Sequence, residues 1–182
     1  MKQIILLFLI TPLFLFADTK MDIYKLYKEK NYVQACSQGE AFLTQLSQDE
    51  KFVSVYAFSC LQADQIDKLA LPITFLKNSS EARANAAYFA VILMQKKLLF
   101  HALLDQYDLN TLKLPTSEHL LSIVYNLYSH DINKNKRRRY NYVDKNDPKK
   151  RYRLYITKGT AAPKMIIEEY YDKLMTKRHT YL

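Results

Sequence analysis

Leu26-Tyr27-Lys28-Glu29-Lys30-Asn31-Tyr32-Val33-Gln34-Ala35 is the stretch on which the fold turns. It carries helix formers up to Glu29, a polar Lys30-Asn31 turn, then an aromatic and a small residue that reopen a helical pattern. Read outward, residues 22–29 form one helix and residues 33–46 the next. Ser47-Gln48-Asp49-Glu50 matches a capping box, in which Ser47 caps a new helix and Glu50 reaches back to it. Helices over 51–61 and 66–76 follow, with Pro72 near one end or marking a kink. Asn78-Ser79-Ser80-Glu81 repeats the cap before a long apolar helix over 82–94, and residues 101–106 continue the next element. Pro115-Thr116-Ser117-Glu118 opens a last helix that runs to residue 128.

These helices pair at a regular step. Tyr32-x-x-Ala35 has counterparts at Ile66-x-x-Leu69 and Leu99-x-x-Ala102, spaced 34 and 33 residues apart, and Tyr24, Tyr56 and Tyr88 keep a step of 32. A two-helix unit with a period near 34 resembles the tetratricopeptide repeat, over residues 22–108 with a half-unit at 115–128. Lys30 stands where that family has a turn glycine, the later units lack its small residue or tyrosine, and its closing proline is missing. The resemblance implies a mainly α solenoid of antiparallel helix pairs with a concave docking surface. An irregular helical bundle is the alternative. Tyr24, Tyr27, Tyr56 and Tyr88 then belong either to the core or to the groove, and helical spacing favours the core.

The amino terminus reads as a secretory leader. Lys2 gives a positive start, residues 4–16 are apolar apart from Thr11 and Pro12, and Ala17 offers a cleavage site before Asp18. The run is too short to span a bilayer, which takes about 20 apolar residues. The expected mature chain therefore has no transmembrane segment and is periplasmic or secreted; an uncleaved anchor is the alternative. Export makes a bond between the two cysteines plausible. Cys36 and Cys60 lie symmetrically about the 47–50 turn, so antiparallel helices set them opposite one another. Closing a loop of that size removes about 3.5 kcal/mol of unfolded-chain entropy. Two buried free thiols are the other reading.

Charge divides the chain. Residues 18–130 hold 11 Lys+Arg against 12 Asp+Glu, whereas residues 131–182 hold 15 against 6. The expected organisation is a leader at 1–17, a helical-repeat body at 18–130 and a basic segment at 131–182. With 49% apolar residues the chain can bury a core, which excludes a disordered protein. In the basic segment, Lys134, Lys136, Arg137, Arg138 and Arg139 form one cluster and Lys149, Lys150, Arg151 and Arg153 a second, with tyrosines between. Residues 139–143 and 151–157 are β-prone and suggest a hairpin. Pro163 then opens an expected terminal helix with Ile166, Ile167, Tyr170, Tyr171 and Leu174 on its face.

No residue set here points to catalysis. The four histidines, His101, His119, His130 and His179, do not fall in a metal or triad pattern, and His101 with Asp105 four residues on reads as a surface contact. Gly39 and Gly159, the only glycines, do not make a phosphate loop. No cofactor and no metal are expected. The expectation is a non-enzymatic interaction or assembly module of the cell envelope with a protein partner. An envelope enzyme or enzyme accessory, and a basic binder of anionic envelope surfaces, are the alternatives. Export argues against nucleic acid as the polyanion. A solvated linker is the competing reading of the basic segment.

Overall fold

The computed structural model describes residues 11–132, 138–157 and 162–182, with side chains from residue 19 onward. The chain divides into two compact units, Met1–Ala86 and Ala87–Leu182. Among the described residues six α-helices come first: α1 (Thr11–Lys28), α2 (Tyr32–Glu40), α3 (Glu50–Gln62), α4 (Ala70–Phe75), α5 (Ser80–Asp105) and α6 (Leu120–Ser129). Four strands follow: β1 (Arg139–Val143), β2 (Lys150–Thr157), β3 (Lys164–Tyr171) and β4 (Leu174–Tyr181). Of the expected leader, residues 11–17 are helical backbone in α1 and residues 1–10 lie outside the described residues.

In the first unit the turn at Lys30 works without glycine. Asn31 N–H donates to the Leu26 carbonyl (2.9 Å) and Lys30 N–H to the Tyr27 carbonyl (3.0 Å), the bond pair of a Schellman ending. Lys30 takes the left-handed conformation this needs, with φ 60°. α3 ends the same way: Gln65 N–H reaches the Cys60 carbonyl and Asp64 has φ 60°. Between α2 and α3 the backbones run close. A Cβ on Gly39 would sit 2.8 Å from Cδ2 of the buried Tyr56, so glycine is required by contact there. Cys36 on α2 and Cys60 on α3 are disulfide-bonded across this interface, with Cα atoms 4.8 Å apart. Ile23, Phe52, Val53, Leu61 and Leu69 fill the surrounding core.

The helix-pair solenoid is not formed. α1, α2 and α3 do pack against one another, but Ile66–Leu69 is a 3-10 turn followed by the six-residue α4. The third expected unit is absent because α5 runs unbroken for 26 residues through Leu99 and Ala102, where the repeat spacing puts a turn. Gln95-Lys96-Lys97-Leu98 contains nothing to break a helix, and so none is broken. α5 is long and apolar enough to cross a membrane. Its Phe89, Ile92, Lys96 and Leu99 form a buried stripe at core-helix spacing, and the Lys96 ammonium donates to the Leu182 carbonyl. The second helix of the sequence reading also stops early, at Glu40 rather than residue 46, and turns occupy residues 41–48.

The caps differ in detail from the box read in sequence. Asp49, not Ser47, caps α3 by accepting from Phe52 N–H at 3.1 Å, and Lys20 pairs with Asp49 from α1. Glu50 is thereby released to a distant target. Its carboxylate accepts from the backbone N–H groups of Lys77 (2.9 Å), Asn78 (2.6 Å) and Ser79 (3.0 Å) at the start of α5. These bonds, from Asn78 first, hold its pKa down at about 2. His119 caps α6 through Nδ1.

The expected hairpin is half of a larger structure. β1 to β4 form one antiparallel sheet in sequence order, and the expected terminal helix is the β3–β4 hairpin instead. Ile166, Ile167, Tyr170 and Tyr171 have a spacing that suits a helix, but β-branched and aromatic side chains pack better on a pleated surface, where they have neighbours on both strands. The inner face of the sheet buries Tyr152, Leu154, Met165, Ile167 and Tyr181, and Tyr140 meets Tyr128 of α6 edge-on at 5.1 Å.

Candidate functional site

The outer face of the sheet carries three rows of side chains, set by period-two alternation and the strand register. The first row is Arg139, Tyr155, Ile166 and Thr180; the second Asn141, Arg153, Glu168 and Arg178; the third Val143, Arg151, Tyr170 and Met175. Lys164 ends the same face on β3. Five cationic side chains thus share one face with a single described carboxylate.

That carboxylate organises the face. Glu168 is buried beneath its neighbours, its side chain only 4% exposed. Oε1 accepts from Arg178 Nε (3.0 Å) and Nη2 (2.5 Å) and from the Tyr155 hydroxyl (2.9 Å). Oε2 accepts from the Tyr170 hydroxyl (2.8 Å) and, at the edge of bonding range, from Arg153 Nη1 (3.5 Å). Burial alone would raise the Glu168 pKa; the bonds from Arg178, Tyr170 and Tyr155 outweigh it and the net shift is downward. The same contacts raise the pKa of Arg178 and Tyr170. Arg139 lies over the Tyr155 ring at 5.2 Å and Arg153 over Tyr170 at 4.9 Å, so tyrosine rings hold the guanidinium groups in place. One negative charge compensates part of the positive charge. The remainder faces water, on the exposed Arg139, Arg151 and Lys164.

The residues expected from sequence fall in three places. Lys134, Lys136 and Arg137 lie outside the described residues. Arg138 is exposed just ahead of β1, and Arg139, Arg151 and Arg153 are on the outer face, the last also bonded to Asn141 and Tyr170. Lys149 is in the β1–β2 turn, 5.9 Å from the Tyr171 ring centre, and Lys150 opens β2. Lys164, Glu168, Tyr170 and Arg178 were not expected, because their segment was read as a helix; the alternation of Thr176, Arg178 and Thr180 was the signal available for them.

Tyr56 is a core residue, not a groove residue, at 1% exposure. Tyr24, Tyr27 and Tyr88 are half-buried; Tyr27 packs edge-on against Tyr32 at 5.7 Å, and Lys20 lies over Tyr24. The histidines are dispersed. His101 pairs with Asp105 at 2.9 Å and stacks on Tyr107, His130 Nδ1 sits 2.8 Å from the Asn126 carbonyl, and His179 pairs with Glu169 at 2.8 Å. Among the described residues no group of three or more His, Cys, Asp or Glu is placed to hold a metal. A cleft of about 480 Å³ lies in the second unit, lined by residues that include Ser117, Glu118, Asn126, Asp144, Lys150 and Tyr152. Its Asp144 is committed to structure: it accepts from the Tyr152 hydroxyl (2.7 Å) and from the N–H groups of Asn146 and Asp147.

Compared with known proteins, the chain matches no family model, no curated protein and no solved structure.

Proposed function

We propose that this protein is an exported, non-enzymatic binding module whose cationic sheet face takes an anionic partner at the cell envelope. The observation that carries the reading is the concentration of Arg139, Arg151, Arg153, Lys164 and Arg178 on one face around the single carboxylate of Glu168. Positive charge in such excess repels itself unless an anion shares it, and arginines fixed over tyrosine rings lose little freedom on binding. The Cys36–Cys60 disulfide is compatible with an oxidising compartment and so supports export, together with the leader-like amino terminus.

The test replaces Arg139 and Arg151, which are exposed and do not hold Glu168. Arg139→Gln with Arg151→Gln should weaken retention on soluble polyglutamate by about tenfold at low salt and flatten its salt dependence, with the circular dichroism unchanged. Equal retention and equal salt sensitivity in that variant would remove this face from function.

A further inference from the structure

Resting on that reading, we infer that the anionic partner is a lipid bilayer, which the protein meets with the end of the sheet formed by the β1–β2 turn and the β3–β4 hairpin tip. Four apolar or aromatic side chains are exposed at this end of the sheet, Val143 (50%) and Met175 (46%) on its outer face and Tyr171 (45%) and Leu174 (73%) in the next row, on the other face. The register explains the grouping. Tyr171 and Leu174 are the last pair of the hairpin, and Val143 and Met175 are the two ends of the third row, with Arg151 and Tyr170 between them. The two turns form one surface, because Asp172 N–H donates to the Lys149 carbonyl at 2.7 Å and the Lys149 ammonium lies over the Tyr171 ring.

Cations are interspersed with these apolar side chains: Lys145, Lys149, Lys150, Arg151 and Lys173 are all exposed at this end of the sheet. Three carboxylates share this end, those of Asp144, Asp147 and Asp172. Asp144 is held by Tyr152 and turn N–H groups, and Asp147 by the N–H of Lys149. A soluble polyanion would satisfy the lysines and leave Leu174 and Met175 in water. A bilayer satisfies both: apolar side chains enter the acyl boundary, tyrosine sits at headgroup level, and lysines reach up to the phosphates along their own aliphatic stems. Each basic residue near an anionic surface is worth roughly fivefold in partitioning. The charge thus brings the hairpin to the surface, and the apolar tip holds it there.

The experiment uses the full chain with its disulfide intact, mixed phosphatidylglycerol–phosphatidylcholine vesicles, and phosphatidylcholine vesicles alone. The chain has no tryptophan, so Leu174→Trp places a single indole at the tip, separate from the apolar run at residues 4–16. Its emission should shift to the blue on the mixed vesicles and much less on phosphatidylcholine. Leu174→Ser with Met175→Ser should weaken co-sedimentation with the mixed vesicles by about tenfold, as expected for withdrawing two apolar side chains, and leave retention on polyglutamate unchanged. An unshifted indole, or equal vesicle binding by the double serine variant, overturns the bilayer assignment. If polyglutamate is still bound through Arg139 and Arg151 in that case, the anion-binding reading stands without it. If neither material is bound, both fall. Loss of polyglutamate binding in the double serine variant would point to an acidic protein surface and also overturn the bilayer.

Discussion

The helical unit and the sheet are held by different means. In Met1–Ala86 a covalent bond joins α2 to α3, glycine lets their backbones approach, and charged groups cap helix ends. In the sheet there is no such bond. The ordering agent on its outer face is Glu168, a carboxylate shared by two arginines and two tyrosines. The first device acts chiefly on the unfolded chain, by limiting its freedom. The second acts on the folded state and responds to pH and salt. A face meant to bind anions needs its cations fixed, yet not neutralised. One buried carboxylate beneath several arginines meets both needs.

The largest effect should come from the covalent device. Cys36→Ser with Cys60→Ser should lower stability by about 3.5 kcal/mol, read by denaturant unfolding. Amide exchange should place the loss in α2 and α3. A loss spread evenly through β1–β4 would erase the distinction drawn between the two regions.

Glu168→Gln is the counterpart in the sheet and should cost about 1–2 kcal/mol, since it weakens the bonds that the buried carboxylate accepts from Tyr155 and Tyr170, while the partly exposed Arg153 and Arg178 are screened by water. Because the Glu168 pKa is depressed in the fold, its contribution is complete above its unfolded pKa and fades as pH falls through the folded one. The variant should therefore lose less on acidification than the parent. At neutral pH it should also bind polyglutamate more tightly if it stays folded, as one competing anion has gone. Weaker binding would mean that Glu168 orders the arginines more than it competes for them.

What the sequence disclosed follows the range of the forces involved. The Cys36–Cys60 pairing was legible because two cysteines set symmetrically about a turn need only a local hairpin to meet. The β1–β2 hairpin was legible too, since tyrosines and a polar turn advertise it within twenty residues. β3 and β4 were not. Ile166, Ile167, Tyr170 and Tyr171 satisfy helical spacing and strand propensity equally, and only pairing with β2 decides between them. The repeat fails for another reason: the spacing at 35, 69 and 102 is retained while the turn that gives it meaning is absent from α5. Glu50 illustrates the limit most sharply. Local reading assigned it to its own helix, whereas it binds the start of α5, 27 to 29 residues away.

The same carboxylate gives the helical unit a pH response of its own. Its pKa of about 2 lies below the ordinary 4.5, so the stability it supplies is complete above about 4.5 and lost as pH falls toward 2. Glu50→Gln should be less stable than the parent at pH 7, and the two should converge through that window. Urea midpoints across pH 2–6 measure this. A constant gap between them would mean that the amide replaces only a packing role and that the carboxylate's charge is idle.

The smallest effect compares backbone strain in the two regions. Lys30 closes α1 at φ 60° and Asp172 turns the β3–β4 hairpin at φ 54°, both in the left-handed region. A lysine there pays roughly 1 kcal/mol, because its Cβ crowds the neighbouring carbonyl. Aspartate visits the region more readily, as its short polar side chain bonds locally. Lys30→Gly relieves the strain but adds freedom to the unfolded chain, so about 0.5 kcal/mol of stabilisation should remain. For a chain of this length that is about 1–2 °C in Tm. Asp172→Gly should gain less or nothing, since there is less strain to relieve and the same entropy is lost. An equal gain at both positions would show that the two turns store strain alike, and that the helical unit owes no special stability to a non-glycine residue at its first turn.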